Sequence, residues 1–363
     1  MTLQVGYVGN SAEHQTSWED RNAAPQSNFL DEAFTTQAAD QDALRQATNF
    51  GTVQEAMRTG HATYHSLQAL FRAQTGKAST FQIAYTYSHS IGDVQLDNSS
   101  GGIGDEAVTD QQDRRLDRGN TNINRPSILV ANEVYYLPKL EGQNPVVRAV
   151  LGGWEANGIL NVNSGESLSV FSSSASDANA ASASATSCPF ATANGGKCDL
   201  TSLLGSGYSA NNRPLQSGLA SCNTKVAGAP KDQLLNPAAF TLVGYQLGTT
   251  SNMAGRGICT GAALYNVNGE IAKNWSFKDR YNVKLSIDAF DLFNHVNFTD
   301  SSLENSGPEF NATALNCGGA VCTPMNNVVT SQAANQNGGF GQANSLIPGE
   351  QSRQLQYTIR FEF

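Results

Sequence analysis

The chain has 363 residues, of which 39% are hydrophobic, and its formal net charge is −9. This negative charge argues against a nucleic-acid partner, whose phosphates attract basic surfaces. The chain lacks the apolar run of about 20 residues that a membrane-spanning helix needs. Crossing by β-strands stays possible, because barrel strands are only half apolar.

The first residues already alternate between apolar and polar or small side chains. Leu3, Val5 and Tyr7 are the apolar members. Successive side chains of a strand point to opposite faces, so this period of two predicts a strand with one apolar face. The start has neither the charged nor the apolar region of a secretory signal. We therefore expect a fragment of an exported protein in preference to a cytoplasmic protein.

The same alternation recurs along the chain. It predicts seven further strands at residues 64–73, 80–88, 127–137, 154–163, 264–277, 281–289 and 355–363. Most are close to the ~9–11 residues that cross a bilayer at a tilt. The segment 127–137 is apolar on both sides, so its facing is ambiguous. In 281–289, Leu285 and Ile287 are expected to face lipid, and Lys284 and Ser286 the lumen.

The connections between these strands alternate between long and short. Outer-membrane barrels have this rhythm, with tight periplasmic turns and long external loops, whereas a soluble sandwich has no reason to keep every second loop long. The sequence therefore predicts an all-β fold. It is an antiparallel transmembrane β-barrel segment of about eight long strands, with short periplasmic turns and long extracellular loops.

The last strand ends the chain on an aromatic residue with a free carboxylate. We interpret its apolar face as an assembly signal for the barrel-assembly machinery, formed by Tyr357, Ile359, Phe361 and Phe363. An edge strand of a soluble sheet would explain this strand if it stood alone, but it does not explain the other seven.

Polar residues on the opposite faces of the predicted strands are expected to face the lumen. They could contact a permeating solute, or they could form a polar network that solvates the barrel wall. These residues are Gln68, Arg72, Gln82, Lys284, Asp288, Arg360 and Glu362.

Other chemistry is not indicated. His61 and His65 are four residues apart, which places them about 13 Å apart on a strand and disfavours a shared metal. Neither a Gly-x-Ser-x-Gly nucleophile motif nor a phosphate-binding loop occurs, so we expect no enzymatic activity and no cofactor.

Six cysteines lie in the predicted loops, and their even number favours disulfides over free thiols without fixing the pairing. They are Cys188, Cys198, Cys222, Cys259, Cys317 and Cys322.

Several motifs occur in order along the chain. They are YHSLQALFR at 64–72, YTYSHSIGD at 85–93, LGGWE at 151–155 followed by Ser164-Gly165, NPAAF at 236–240, and DAFDLFNHVNF at 288–298. Together they resemble segments of the Oar-like TonB-dependent outer-membrane receptors found in acidobacteria. Receptors of that family are longer, with a signal peptide, a plug and a large barrel. The resemblance therefore implies that residues 1–363 are part of the barrel domain, with neither plug nor signal peptide.

The resemblance also implies a function. The parent receptor would take up an unidentified solute across the outer membrane of a Gram-negative cell. Its partners would be outer-membrane lipid, the barrel-assembly machinery and a TonB-type energy coupler acting through the missing plug. A self-contained eight-stranded barrel, acting as an anchor or adhesin, is the alternative. A soluble surface-binding β-sandwich is a third possibility.

Overall fold

A computed structural model describes residues 1–22, 46–47, 49–51, 53–75, 79–94, 114–170, 213, 215–229, 231–241, 254–277, 281–298, 310–312, 315–318, 321–324, 329–331, 341–343, 346–347 and 352–363. Eight long strands dominate these residues: β1 (Thr2–Asp20), β2 (Gln54–Thr75), β3 (Ser79–Gly92), β4 (Ser127–Tyr136), β5 (Trp154–Asn163), β6 (Leu264–Phe277), β7 (Tyr281–Phe290) and β8 (Gln354–Glu362). The prediction of about eight long strands is therefore confirmed.

The eight strands form one antiparallel sheet in which each strand pairs with the next along the chain. A two-residue strand, Gly119–Asn120, adds to the outer end of β3. In the described residues β1 and β8 each pair on one side only, so the sheet is open at these two edges. The structure is an up-and-down wall, in agreement with the predicted antiparallel barrel segment.

Short connections lie at one end of the sheet and long ones at the other. Residues 76–78 join β2 to β3, and residues 278–280 join β6 to β7. The third connection at this end, residues 137–153, contains the helix α1 (Pro145–Leu151). Within the described ranges, no helix is both long and apolar enough to cross a membrane.

The remaining elements are short and belong to the connections. They are the 3-10 helices Arg114–Asp117 and Pro237–Ala239 and the strands Ser167–Leu168, Leu215–Gln216, Phe240–Thr241, Cys259–Thr260, Phe310–Ala312, Leu315–Gly318, Val321–Pro324 and Val329–Ser331.

The first hairpin is much longer than the sequence indicated, since alternation is visible only at 2–9 and 64–73. The additional pairs continue to Asp20 opposite Gln54, past register shifts between Ala12 and Ser17. Polar groups hold this extension together, for example Ser17 Oγ and Thr59 Oγ1 at 2.8 Å. Strand pairing in water does not require an apolar face, so the extension carries no period-two pattern.

Large buried apolar side chains lie in the long connections. Val170, Leu235 and Phe240 are almost completely buried there. A disulfide joins Cys222 to Cys259, 37 residues apart, in the connection between β5 and β6. This confirms the disulfide prediction for one pair, while Cys188 and Cys198 lie outside the described residues. The connection between β5 and β6 therefore has a small core of its own.

Candidate functional site

On one face of the sheet large apolar side chains are exposed, and on the other face polar side chains are buried. A soluble protein has the opposite arrangement. On β3, Phe81, Tyr85 and Tyr87 are exposed, whereas Ser88 and Ser90, on the opposite face, are buried. We call the face of Phe81, Tyr85 and Tyr87 the apolar face, and the other the polar face. Apolar side chains of this size are stable on an exterior surface when that surface contacts lipid.

The strand register resolves the facing of β4. Ala131 is paired with Ile83, and Glu133 with Phe81, so both lie on the apolar face. Glu133 is exposed there and is the register partner of Gly158 on β5. The apolar residues Val130 and Val134 share the polar face, which explains why the sequence alone gave β4 no clear facing.

All seven residues predicted to face the lumen lie on the polar face. Register pairs place Arg72 opposite Gln82, Lys284 opposite Arg360, and Asp288 opposite Gln356. Arg72 Nε donates a hydrogen bond to Gln82 Oε1 at 2.9 Å, and Arg360 Nε lies 3.0 Å from Glu362 Oε1. Gln68 Nε2 lies 3.5 Å from Ser66 Oγ. The residues form local pairs along the wall and do not converge on one point.

A cluster of charges on the polar face joins three strands. Lys284 Nζ lies 3.6 Å from Glu155 Oε2 and 3.3 Å from Glu270 Oε1. Asn157 Nδ2 donates to both carboxylates, at 2.9 Å to Glu155 and 2.7 Å to Glu270. Two carboxylates face one ammonium group, so the cluster has a net negative charge. It favours contact with cationic or hydrogen-bond-donating groups.

Sequence reasoning selected Lys284 but did not select the other three members of this cluster. The sequence signal that could have found them is their alternating position within the strands. Glu155 follows Trp154, an apolar-face residue, and Glu270 is four residues before Asn274 on the polar side of β6. Period-two counting places Glu155, Asn157 and Glu270 on the polar face, but only the register brings them opposite one another.

Charged groups also organise the end with long connections. Asp93 is buried, and its Oδ2 lies 2.9 Å from His61 Nδ1 and 3.5 Å from Arg114 Nη2. Arg256 Nη2 lies 2.9 Å from the carboxylate of Asp117, and both residues belong to the connections. Such pairs fix the connections onto the rim of the sheet.

The two histidines with i, i+4 spacing bind different partners. His61 contacts Asp93 as described, whereas His65 Nδ1 lies 2.6 Å from Tyr7 Oη on β1. In the described part of the chain, no group of three or more His, Cys, Asp or Glu residues could hold a metal ion.

Of the residues interpreted as an assembly signal, Tyr357, Ile359 and Phe361 lie on the apolar face of β8, and Phe363 follows its last residue. Tyr357 and Ile359 pair with Ile287 and Leu285 of β7. Tyr357, Ile359 and Phe361 are between 62% and 68% exposed, and Phe363 is 95% exposed. The structure therefore places the four side chains on an accessible apolar edge of the sheet.

The exposed apolar face, the opposite face of polar residues and the up-and-down topology all point to a lipid-embedded barrel wall. The profile of one protein family, the outer membrane beta barrel domain, matches residues 1–356. The chain belongs to this family. No curated protein and no solved structure matches it. An outer membrane beta barrel domain resides in the outer membrane of Gram-negative bacteria, so the apolar face contacts lipid and the end with short connections is periplasmic.

Proposed function

We propose that this outer-membrane barrel domain forms part of the wall of a TonB-dependent, Oar-like receptor that takes up a solute. The polar face would line the path of the solute, which the external loops would first capture. Energy would come from a TonB-type coupler through a plug that belongs to the parent protein. The motifs at 64–72, 85–93, 151–165, 236–240 and 288–298 support this family assignment.

The observation that carries the proposal is the exposure of polar-face residues at the open edge. A closed barrel of eight strands has an interior that side chains fill. Here Gln356, Thr358 and Arg360 of β8 are exposed on the polar face. In hydrocarbon the unpaired backbone groups of β1 and β8 require further strands or mutual closure. The exposure of these polar side chains at the β8 edge favours further strands beside them, and therefore a wider barrel.

Cysteine crosslinking distinguishes the wide barrel from the closed one. Single cysteines at Leu3, Val5 or Tyr7 of β1 would be combined with single cysteines at Leu355, Tyr357 or Ile359 of β8. A short bifunctional thiol reagent would then be added to outer membranes that contain the protein. We expect no link within the chain for any of these combinations. The matched control joins Ile287→Cys to Tyr357→Cys, which are register partners and should link efficiently.

Uptake itself can be tested without knowing the solute. Solutes removed from the medium would be compared among the natural host, a strain without this gene and a strain without the energy coupler. We expect at least one solute that the natural host depletes and both mutant strains leave in the medium. A solute profile that changes in neither mutant would contradict a transport role.

An anchor or adhesin is the second candidate, and the long β1–β2 hairpin favours it because the 19 residues of β1 rise beyond the outer headgroups. In that case the β1 and β8 cysteines would link to each other and close an eight-stranded barrel. We propose no enzymatic activity in either case.

A further inference from the structure

The helix α1 lies in the periplasmic connection between β4 and β5. Asn144 caps its start, with the side-chain oxygen accepting a hydrogen bond from Val147 N at 2.9 Å, and Pro145 occupies the first turn. Both features favour a helix start at this position. The helix is therefore encoded locally within a connection that could otherwise be a simple turn.

Two tryptophans attach α1 to the apolar face of the sheet. Trp275 Nε1 donates to the carbonyl oxygen of Ala149, and Trp154 Nε1 donates to that of Val150, both at 2.9 Å. Register pairs place Trp154 opposite Lys273, and Trp275 opposite Val283. Both positions belong to the same face as Ile271 and Ile287. The helix consequently lies outside the barrel wall, on the side of the lipid.

The exposed surface of α1 is apolar. Val146, Val150 and Leu151 are 70%, 56% and 59% exposed, and Arg148 is the only charged residue of the helix. Contact of these three apolar side chains with water is unfavourable, so the surface favours an apolar environment. This surface continues the lipid-contacting apolar face at its periplasmic rim.

The attachment of α1 also covers a charge. Lys273 lies in the lipid-facing row of β6, yet it is only 2% exposed. Its ammonium group lies 5.8 Å from the Trp154 ring centroid and 5.7 Å from that of Trp275. These distances are within the range of cation–π attraction. The same two indoles thus hold α1 by their N–H groups and cover Lys273 with their rings.

We propose that α1 is an in-plane membrane helix that binds glycerophospholipid of the periplasmic leaflet. Val146, Val150 and Leu151 insert among the acyl chains near the headgroup boundary, the depth at which apolar faces of interfacial helices lie. Arg148 remains at the level of the phosphates. The helix thereby fixes the depth of the barrel and keeps the Lys273 charge out of hydrocarbon. This role requires the outer-membrane location alone and does not depend on the proposed transport.

Photocrosslinking in the membrane tests the contact. The photoreactive residue benzoylphenylalanine would replace Val150 in the full-length protein, and as a control it would replace Gln143, which is exposed in the same connection just before the helix. After irradiation of intact outer membranes, mass spectrometry would identify the adducts. We expect phospholipid adducts at 150 to exceed those at 143 several-fold. Equal phospholipid adducts at the two sites, or protein adducts in place of lipid at 150, would overturn the proposal.

A second measurement uses the protein's own fluorescence in vesicles of phosphatidylethanolamine and phosphatidylglycerol. Trp18→Phe would leave Trp154 and Trp275 as the remaining tryptophans of the chain. Adding Val146→Asp and Val150→Asp should release α1 from lipid and raise quenching by aqueous iodide several-fold, whereas Gln143→Asp should leave it unchanged. Unchanged quenching in the double aspartate variant would show that lipid does not hold α1, and would overturn the proposal.

Discussion

Ile287→Arg is the substitution that tests the membrane wall most directly. Ile287 is 41% exposed on the apolar face of β7, and its register partners are the uncharged Ile271 and Tyr357. The neighbouring site Leu285 is less suitable, because it lies opposite Lys273, where an arginine would also be repelled by a like charge. Ser286 is nearly buried, so a large side chain would meet steric resistance there.

The depth of Ile287 sets the size of the effect. It lies one and a half residues from the middle of β7, which is about 4 Å along the membrane normal at ~3.3 Å per residue and a tilt of about 40°. Arginine this close to the midplane costs about 2–4 kcal/mol. That loss lowers the folding equilibrium constant about 30- to 900-fold. At an exposed position of a soluble sheet, the change would be within about 0.5 kcal/mol.

The measurement is urea unfolding of the protein refolded into phospholipid vesicles. The matched control is Gln356→Arg, an exposed residue of the polar face that lies opposite Asp288, and we expect it to change the free energy of unfolding by no more than about 0.5 kcal/mol. Equal losses in the two variants would mean that both faces are packed. No loss in Ile287→Arg would mean that this face is in water. Either result would refute a lipid-facing role for the exposed apolar side chains.

Three further predictions concern other parts of the wall and its loops. Deletion of Phe363, or Phe363→Asp, should lower the level of the full-length protein in the outer membrane, and a wild-type level on an immunoblot would contradict the assembly-signal interpretation. Cys222→Ser opens a link between residues 37 apart and should destabilise the folded connection by about 4 kcal/mol from loop entropy; protease added to whole cells should then cut this connection faster. Glu133→Leu should raise the free energy of unfolding in vesicles by about 1 kcal/mol, because a carboxylate on the lipid face is unfavourable though less so than a basic group; an unchanged value would place Glu133 at the headgroups.

The strands were predictable where lipid imposes a pattern. Contact with hydrocarbon on one side and water on the other forces period-two alternation, and β5 and β6 were accordingly predicted with their observed bounds. The outer half of the β1–β2 hairpin lies where both faces meet water, so no alternation marks it. In β4 both faces are largely apolar, and only pairing with β3 shows that Ala131 faces lipid.

The polar-face cluster and the covered lysine depended on contacts between distant segments. Glu155 and Glu270 meet Lys284 because three strands align, and the sequence does not state their register. Lys273 interrupts the apolar series of β6, and the sequence alone gives no reason for a charge at this position. It is explained by two indoles from strands that are far apart in the sequence. Sequence analysis therefore predicted the wall and its facing, while side-chain partnerships across strands required the structure.

The length of the first hairpin sets how far the molecule reaches from the cell. The 19 residues of β1 rise about 50 Å along the membrane normal at the usual strand rise and tilt. A bilayer with its headgroups is about 40–45 Å thick, of which ~30 Å is hydrocarbon. With its lower end at the periplasmic edge of the hydrocarbon, the hairpin stands about 10–15 Å above the outer headgroups. A large particle that approaches the cell surface, such as a phage or an antibody, would meet this ridge before it meets the rest of the wall.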